Sequence, residues 1–469
     1  MMRRRGGWLA LGFALLATRL CHSGLLWPEE TLPLAAAVQM LQGRQLYRDV
    51  WFDKPPLAPA FCLLWGAQTG WPLRVAGALY VILACVLAGR LARALWGEKE
   101  QKLAAALLAF YLTFWLPAAV IPLASDLLML APHAAALWLA LEGRVLAAGV
   151  AAGLAFQSNP KGIFVLAACL IFRPRDAAPM LAGFALPSAT IAAWLAATGA
   201  LDDYVREVWR LGATYARDTF VAAPIAEGMA RTAGWAGFHA ALFMGAVAFW
   251  RRERGALAWR MALWSALALA GVCPGLRFFP RYYFLPLLPV TVAAARGLAR
   301  SGKAVVALAA AALLIPVARF GPRYALLASD LIAGREHGWR DLALDADSRQ
   351  AAAWLRARAR AGDTLFVWGY RPELYVYTRL PAASRFLESQ PLTGVFADRH
   401  LFDTRASDPQ LAAQSRRELV RARPRWIVDG LSPINPALAM ENWPELREWL
   451  KDYRLEGSTR LSRIYRRLE

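Results

Sequence analysis

The chain is short of the residues on which most soluble enzymes rely. Only 19% of its 469 residues are charged, and it has five histidines and five cysteines. The cysteines (Cys21, Cys62, Cys85, Cys169 and Cys273) all lie in or beside apolar segments and none forms a CxxC pair, so neither a disulfide framework nor a zinc site is indicated. The histidines (His22, His133, His239, His337 and His400) are scattered and never fall at metal-ligand spacing. A Gly-rich phosphate loop, a Walker motif and a GxSxG turn are all missing, which speaks against an ATP-driven transporter and a common serine hydrolase. Acids are scarce too: 34 Asp and Glu stand against 54 Lys and Arg, for a net charge of +20. The basic residues cluster in short stretches between apolar runs, at 3–5, 90–102, 173–175, 251–252 and 296–303. That is the pattern of cytoplasmic loops between membrane spans, and no nucleic-acid partner is expected.

What the chain has instead is apolar length. Hydrophobic residues make up 58% of it, concentrated before about residue 320, where a soluble domain has about 45–50%. A bilayer-crossing helix takes about 20 such residues. Spans are expected near 8–26, 71–95, 102–118, 122–141, 145–159, 161–172, 177–198, 231–250, 257–274, 281–297 and 303–319, about eleven in all, with one or two in the region 145–172. The basic start followed by an apolar run reads as an uncleaved first span rather than a secretory signal. With Met1 inside, the basic loops also fall inside, while 27–70, 199–230 and everything after 320 fall outside. The expected fold class is therefore an α-helical polytopic membrane protein (1–320) with a small C-terminal α/β extracytoplasmic domain (321–469), set in the cell (inner) membrane with its N-terminus cytoplasmic. In that domain, 348–361 reads as an Arg-rich amphipathic helix, and 364–369, 426–428 and 462–466 as short strands. Residues 32–46 of the first outside loop read as a helix lying in the membrane interface, and 59–66 as a second helix on that surface or a re-entrant segment.

The chemistry-bearing residues stand at the edges of these runs. The first outside loop carries Glu29-Glu30, then Gly43-x-x-x-Tyr47-Arg48, then Asp53-Lys54-Pro55-Pro56. The acidic pair reads either as solvated acids at a helix end, as a partly desolvated general base, or as oxygen ligands for a metal ion. Lys54, on backbone stiffened by two prolines, suits a phosphate or a snorkelling position beside lipid. Asp126 edges a span, where an acid is expensive enough to suggest function, although the first turn of a helix also favours it. Lys161, in Asn159-Pro160-Lys161-Gly162, faces outside against the positive-inside trend and so points to a bound anion. Arg277 and Arg281, in Arg277-Phe-Phe-Pro-Arg281-Tyr282-Tyr283, suit a phosphate clamp. Trp368, Tyr370, Arg371 and Tyr375 suit either an acceptor site or the packing of the C-terminal domain.

The order of these pieces resembles the GT-C glycosyltransferases that use polyprenyl-phosphate sugars, in particular the bacterial protein-mannosyltransferase and aminoarabinose-transferase-like group (glycosyltransferase family 39-like). The pieces are an acidic pair after the first span, Gly-x-x-x-Tyr, Lys-Pro-Pro-Leu, a span-edge Asp, a Lys-Gly between spans and Arg-x-x-x-Arg-Tyr. The resemblance covers about residues 8–320 and the general plan of a C-terminal outside domain. It implies inverting transfer of a sugar from a polyprenyl-phosphate donor, drawn from membrane lipid, to an acceptor glycan, lipid or protein on the outer face. Glu29 or Glu30 would be the base. Lys54 and Lys161 would contact the donor phosphate, with Tyr47, Arg48, Asp126, Arg277, Arg281 and Tyr282 also at the substrate. Glu29 stands where the family usually has Asp, and Arg281-Tyr282 where relatives often have His-Tyr. No cofactor is certain, and a divalent ion such as Mg or Mn is left open. The rival readings are a lipid-linked-saccharide flippase that breaks no bond, and a membrane scaffold whose outside domain binds a partner.

Overall fold

The computed structural model describes residues 2–335 and 338–468, with only the backbone for 2–6. The expectations that rested on Met1 and His337 lie outside the described residues. Up to Ala333 the chain is a helical bundle, and from Ala343 onward it is a small α/β unit. Among the described residues, four stretches are long and apolar enough to cross a bilayer: Trp71–Leu95, Pro174–Ala197, Pro280–Ala299 and Lys303–Ala333. A fifth arises if Pro224–Phe238 and Ala240–Arg252, bent by 89° at His239, count as one. Five shorter apolar helices accompany them, including Val145–Ser158 and Gly162–Phe172, so the region 145–172 holds two helices. The helices approach closely through small residues. A Cβ added at Gly297 would fall 1.8 Å from the carbonyl oxygen of Gly245, so Phe284–Ala299 and Ala240–Arg252 meet backbone to backbone.

The run expected at 303–319 continues as helix to Ala333, across residue 320. A second difference concerns the expected interfacial helix. Residues Pro28–Leu41 do form a helix, but Glu30 through Gln39 are all buried. The C-terminal unit covers the face that would otherwise meet water. Gln39 accepts from the Ala382 amide at 2.8 Å and donates to the Leu380 carbonyl at 3.3 Å, replacing hydration that a surface helix would have.

The C-terminal unit holds a four-stranded sheet: β1 (Leu365–Trp368), β2 (Trp426–Asp429), β3 (Tyr453–Ser458) and β4 (Arg463–Arg467), in the order β1-β2-β4-β3. β1 and β2 are parallel, with Leu365 opposite Trp426, and the other pairs are antiparallel. The residues of β1 and β2 are buried throughout, as expected of a parallel pair covered on both faces. Beside the sheet lies the helix Ala343–Arg356, somewhat earlier than expected. Between Thr393 and Pro409 the chain has no regular element, and it is this irregular stretch that reaches back over the helical bundle.

Candidate functional site

Glu29 and Glu30 are consecutive in the first turn of Pro28–Leu41. Successive helical residues point about 100° apart, so the two carboxylates cannot share one surface. Glu30 turns inward. It receives both Arg74 Nη1 (3.0 Å) and Nη2 (2.7 Å), and caps its own helix by accepting from the Trp27 amide at 3.0 Å. Arg74 also donates to the carbonyls of His22 and Leu25, so this buried pair ties the end of the first helix to the start of Trp71–Leu95. Glu29 turns the other way, into a cavity of about 550 Å³ between the bundle and the C-terminal unit.

Beside it on the bundle side, Asp53, Lys54, Asp126, Lys161 and Arg281 border that cavity. Arg281 Nη1 donates to Glu29 Oε1 at 2.5 Å, and its Nε lies 3.6 Å from Asp126 Oδ2. Lys161 Nζ lies 3.7 Å from Asp126 Oδ1 and 3.0 Å from the ring centre of Tyr282. Asn159 completes the group, donating to Asp126 at 3.1 Å and accepting from the Lys161 amide at 3.0 Å. The turn that presents Lys161 depends on Gly162. A Cβ there would fall 2.2 Å from the Phe156 nitrogen of the preceding helix. Lys161 Nζ has no hydrogen-bond partner among the described residues. Burial lowers its pKa to about 8, against the pull of Asp126 and with the help of Arg281. Lys54 behaves oppositely. Burial also works against its charge, but Asp53, at 3.3 Å, and Glu29 outweigh that and hold it above the ordinary lysine value.

Three other expected residues, Tyr47, Arg48 and Arg277, lie outside the cavity wall. Tyr47 is buried with φ 70°, in the left-handed region, and its hydroxyl donates to the Lys54 carbonyl at 2.8 Å. It therefore shapes the Lys54 loop from behind. Arg48 is exposed and pairs with Asp49. Arg277 is fully buried. Its guanidinium lies 3.6 Å from the ring centre of Tyr215 and donates to Asp398 at 2.5 Å. It joins the bundle to the C-terminal unit. Tyr282 borders the cavity, with its hydroxyl 3.4 Å from that of Tyr215.

The opposite wall comes from the C-terminal unit: Tyr370, Gln390, Phe396, Asp398 and His400. Of the aromatic and basic residues around β1, Tyr370 and Arg371 border the cavity, whereas Trp368 and Tyr375 are core. Arg371 is engaged by Asp347 at 3.0 Å and Glu373 at 3.3 Å. Sequence reasoning did not reach Asn159 as a site residue, nor Asp53, Tyr215, Gln390, Asp398 or His400. Asn159 had a signal, since its side chain caps the same turn that carries Lys161. Asp53 stood beside Lys54 in the Asp53-Lys54-Pro55-Pro56 stretch, whereas Tyr215, in Leu211–Arg217, and Gln390, Asp398 and His400 had no motif to mark them.

No protein family model matches this sequence, and no curated protein matches it. Solved structures do. ArnT from Cupriavidus metallidurans bound to undecaprenyl phosphate superposes with a TM-score of 0.56 at 16% identity, over 98% of this chain and 97% of that one. The same protein in its apo state gives 0.59 at 15% identity, with 98% of each chain covered. An oligosaccharyltransferase from Archaeoglobus fulgidus, in complex with zinc and sulfate, gives 0.50 at 14% identity over 95% of this chain and 71% of that one. The chain has the GT-C fold. With this fold the apolar helices belong to a multi-pass membrane protein, and the cavity lies where the bundle meets the C-terminal unit.

The residues around the GT-C cavity offer a divalent ion no ready donor set. Among the described residues, no three His, Cys, Asp or Glu side chains come together as metal ligands. The bundle-side carboxylates Glu29, Asp53 and Asp126 are turned toward Arg281, Lys54 and Lys161 instead.

Proposed function

We propose that this protein is a membrane glycosyltransferase that moves a sugar from a polyprenyl-phosphate donor to an acceptor on the outer face of the cytoplasmic membrane. The observation that carries the proposal is one cavity in which a carboxylate, Glu29, faces three cations, Lys54, Lys161 and Arg281, from separate chain segments. Glycosyl transfer needs a base for the acceptor hydroxyl and positive charge for the departing phosphate. The GT-C fold supports this reading, and so does the polyprenyl phosphate that the ArnT structure contains.

In the proposed step, Glu29 takes the proton of the acceptor hydroxyl as its oxygen attacks the anomeric carbon. The bond from that carbon to the phosphate oxygen breaks, and the lipid phosphate leaves against Lys54, Lys161 and Arg281. One base and no covalent intermediate make the step inverting. Arg281 holds Glu29 at the cavity wall. An arriving phosphate competes for that guanidinium and releases the carboxylate to act as base. The five shorter apolar helices and Glu98–Tyr111 cross the membrane as well, which with the bent pair gives about eleven spans, with the N-terminus cytoplasmic and the C-terminal unit outside. A flippase would spread its charges along a path through the bundle, whereas here they gather at one end.

Membranes carrying the protein are expected to transfer labelled sugar from a polyprenyl-phosphate donor, and the copurifying lipid is expected to include polyprenyl phosphate by mass spectrometry. Undiminished transfer by the Glu29→Gln, Glu30→Gln double variant would sink the assignment of the base. Movement of intact lipid-linked sugar without bond cleavage would favour the flippase.

A further inference from the structure

Asp398 is a buried carboxylate with one oxygen to spare. Its side chain is 6% exposed, and Oδ2 is taken by Arg277 at 2.5 Å. Oδ1 has no hydrogen-bond partner among the described residues, yet the residue borders the cavity. A buried acceptor left open is costly unless something fills it. An ionised carboxylate oxygen can only accept, so the missing partner is a donor such as a hydroxyl.

The position of Asp398 relative to the cations follows from a continuous set of contacts. Lys161 lies against the Tyr282 ring, the Tyr282 hydroxyl lies 3.4 Å from that of Tyr215, Arg277 covers the Tyr215 ring, and Asp398 pairs with Arg277. Two tyrosines and the buried Arg277 guanidinium thus link a phosphate-suited cation to an open hydrogen-bond acceptor. A flat, partly apolar ring carrying hydroxyls, attached at one edge to a phosphate, matches that sequence of surfaces. We infer that Asp398, supplied by the C-terminal unit, is a specificity-determining residue for the donor sugar, accepting a hydrogen bond from a hydroxyl on the edge of the ring away from the phosphate. This rests on the glycosyltransferase reading and adds a role for the C-terminal unit: it reads the sugar while the bundle holds the phosphate.

The test compares sugar-bearing and bare lipid. Full-length protein in nanodiscs is titrated with short-chain polyprenyl-phosphoryl hexose, pentose and amino sugar, and with bare polyprenyl phosphate. The wild type is expected to bind its best sugar-bearing lipid about tenfold tighter than the bare lipid, as fits a hydrogen bond to a charged group. Asp398→Asn is expected to narrow that gap to about twofold and leave bare-lipid binding unmoved, because a site built to bond a hydroxyl loses discrimination when the bond goes. An unchanged gap overturns the inference, and so does equal weakening of both ligands, which would make Asp398 only a strut for Arg277. Should the variant fail to fold, the wild type suffices. A donor with a photoreactive diazirine on its sugar ring is expected to label residues 390–401, and labelling confined to the helical bundle overturns the inference. Transfer is measured alongside. Transfer with an unmoved gap rejects the role of Asp398 and spares the enzyme, whereas a gap that narrows without any transfer does the reverse.

Discussion

The two walls of the cavity are made in different ways. On the bundle side, each charged residue stands at the start of a helix or in the turn just before one. Glu29 is in the first turn of Pro28–Leu41, Lys54 precedes Leu57–Cys62, Asp126 begins Ser125–Leu128, Lys161 caps Gly162–Phe172, and Arg281 precedes Phe284–Ala299. Packed apolar helices fix these positions, and the positive ends of helix dipoles favour an anion there. On the C-terminal side, Phe396, Asp398 and His400 stand in irregular chain. Ion pairs to the bundle hold that stretch, Arg277 with Asp398 and Arg399 with Asp218 at 2.5 Å, and Arg385, ahead of it, adds pairs with Asp203 at 3.1 Å and with Glu207. The bundle wall is therefore rigid because of its core, while the other wall is positioned by a few polar links that substitutions can cut one at a time.

The largest expected effect separates two neighbouring residues of the rigid wall. Glu29→Gln should lower transfer by about 10²–10⁴-fold, the usual contribution of a general base, with little change in thermal stability, because its side chain faces the cavity. Glu30→Gln should instead destabilise the protein by about 3–5 kcal/mol, because it leaves Arg74 buried without its counter-charge. Parallel measurements of transfer and of melting temperature in detergent check both. Equal effects of the two variants would mean that the walls are not divided in this way.

Next in size are the cations. Lys161→Gln and Lys54→Gln should each weaken binding of bare polyprenyl phosphate by about tenfold or more, at about 1.5–3 kcal/mol for a hydrogen bond to a charged group. Titration of the lipid into nanodiscs measures this, and affinity unchanged in both variants would remove the phosphate from this end of the cavity.

These residues were legible in the sequence for a physical reason. A charge at the end of an apolar run is conspicuous, since helix packing and lipid both exclude it from elsewhere. What separates Glu29 from Glu30 was not legible, because the difference lies in Arg74, 44 positions from Glu30, and in the rotation of one helical step. The buried face of Pro28–Leu41 was misread for a similar reason. An amphipathic pattern marks a polar face without saying whether water or another backbone satisfies it, and Gln39 is satisfied by Leu380 and Ala382. β1, β2 and β4 announced themselves as short apolar or alternating runs. β3, with two exposed arginine and leucine positions (Arg454, Leu455) and Gly457 at its bulge, did not. Asp398 and His400 had neither periodicity nor a motif, so only the fold brings them to the cavity.

The flexible wall gives a smaller effect. Asp218→Asn removes the shorter of the two ion pairs of Arg399, the one that ties it to the bundle, and leaves Arg399 with Asp403. Amide exchange across 394–408 should quicken, with a stability loss of about 1–2 kcal/mol, while bare-lipid binding stays unchanged. Exchange that remains slow would show that the irregular stretch is held by its own packing, and the contrast between the walls would lose its basis.

The finest comparison is between the two lysines, and pH resolves it. The Lys161 pKa of about 8 lies below its ordinary value of 10.5, whereas that of Lys54 lies above. A phosphate binds the protonated lysine, so affinity for bare polyprenyl phosphate should fall as pH rises through about 8, by roughly three- to tenfold between pH 7 and 9. Lys161→Gln should flatten that profile, because Lys54 stays charged throughout. Stability of the lipid-free protein carries the opposite sign. Between about 8 and 10.5 the unfolded chain binds a proton at Lys161 that the folded chain has lost, so the folded state gains on the unfolded one as pH rises through that window. Below it, the penalty of burying a charged lysine is present in full. Binding that weakens while stability rises, both centred on Lys161 and both lost in Lys161→Gln, would mark this lysine as a cation kept short of partners until a phosphate arrives. A pH profile that survives the substitution would assign the titration to another group.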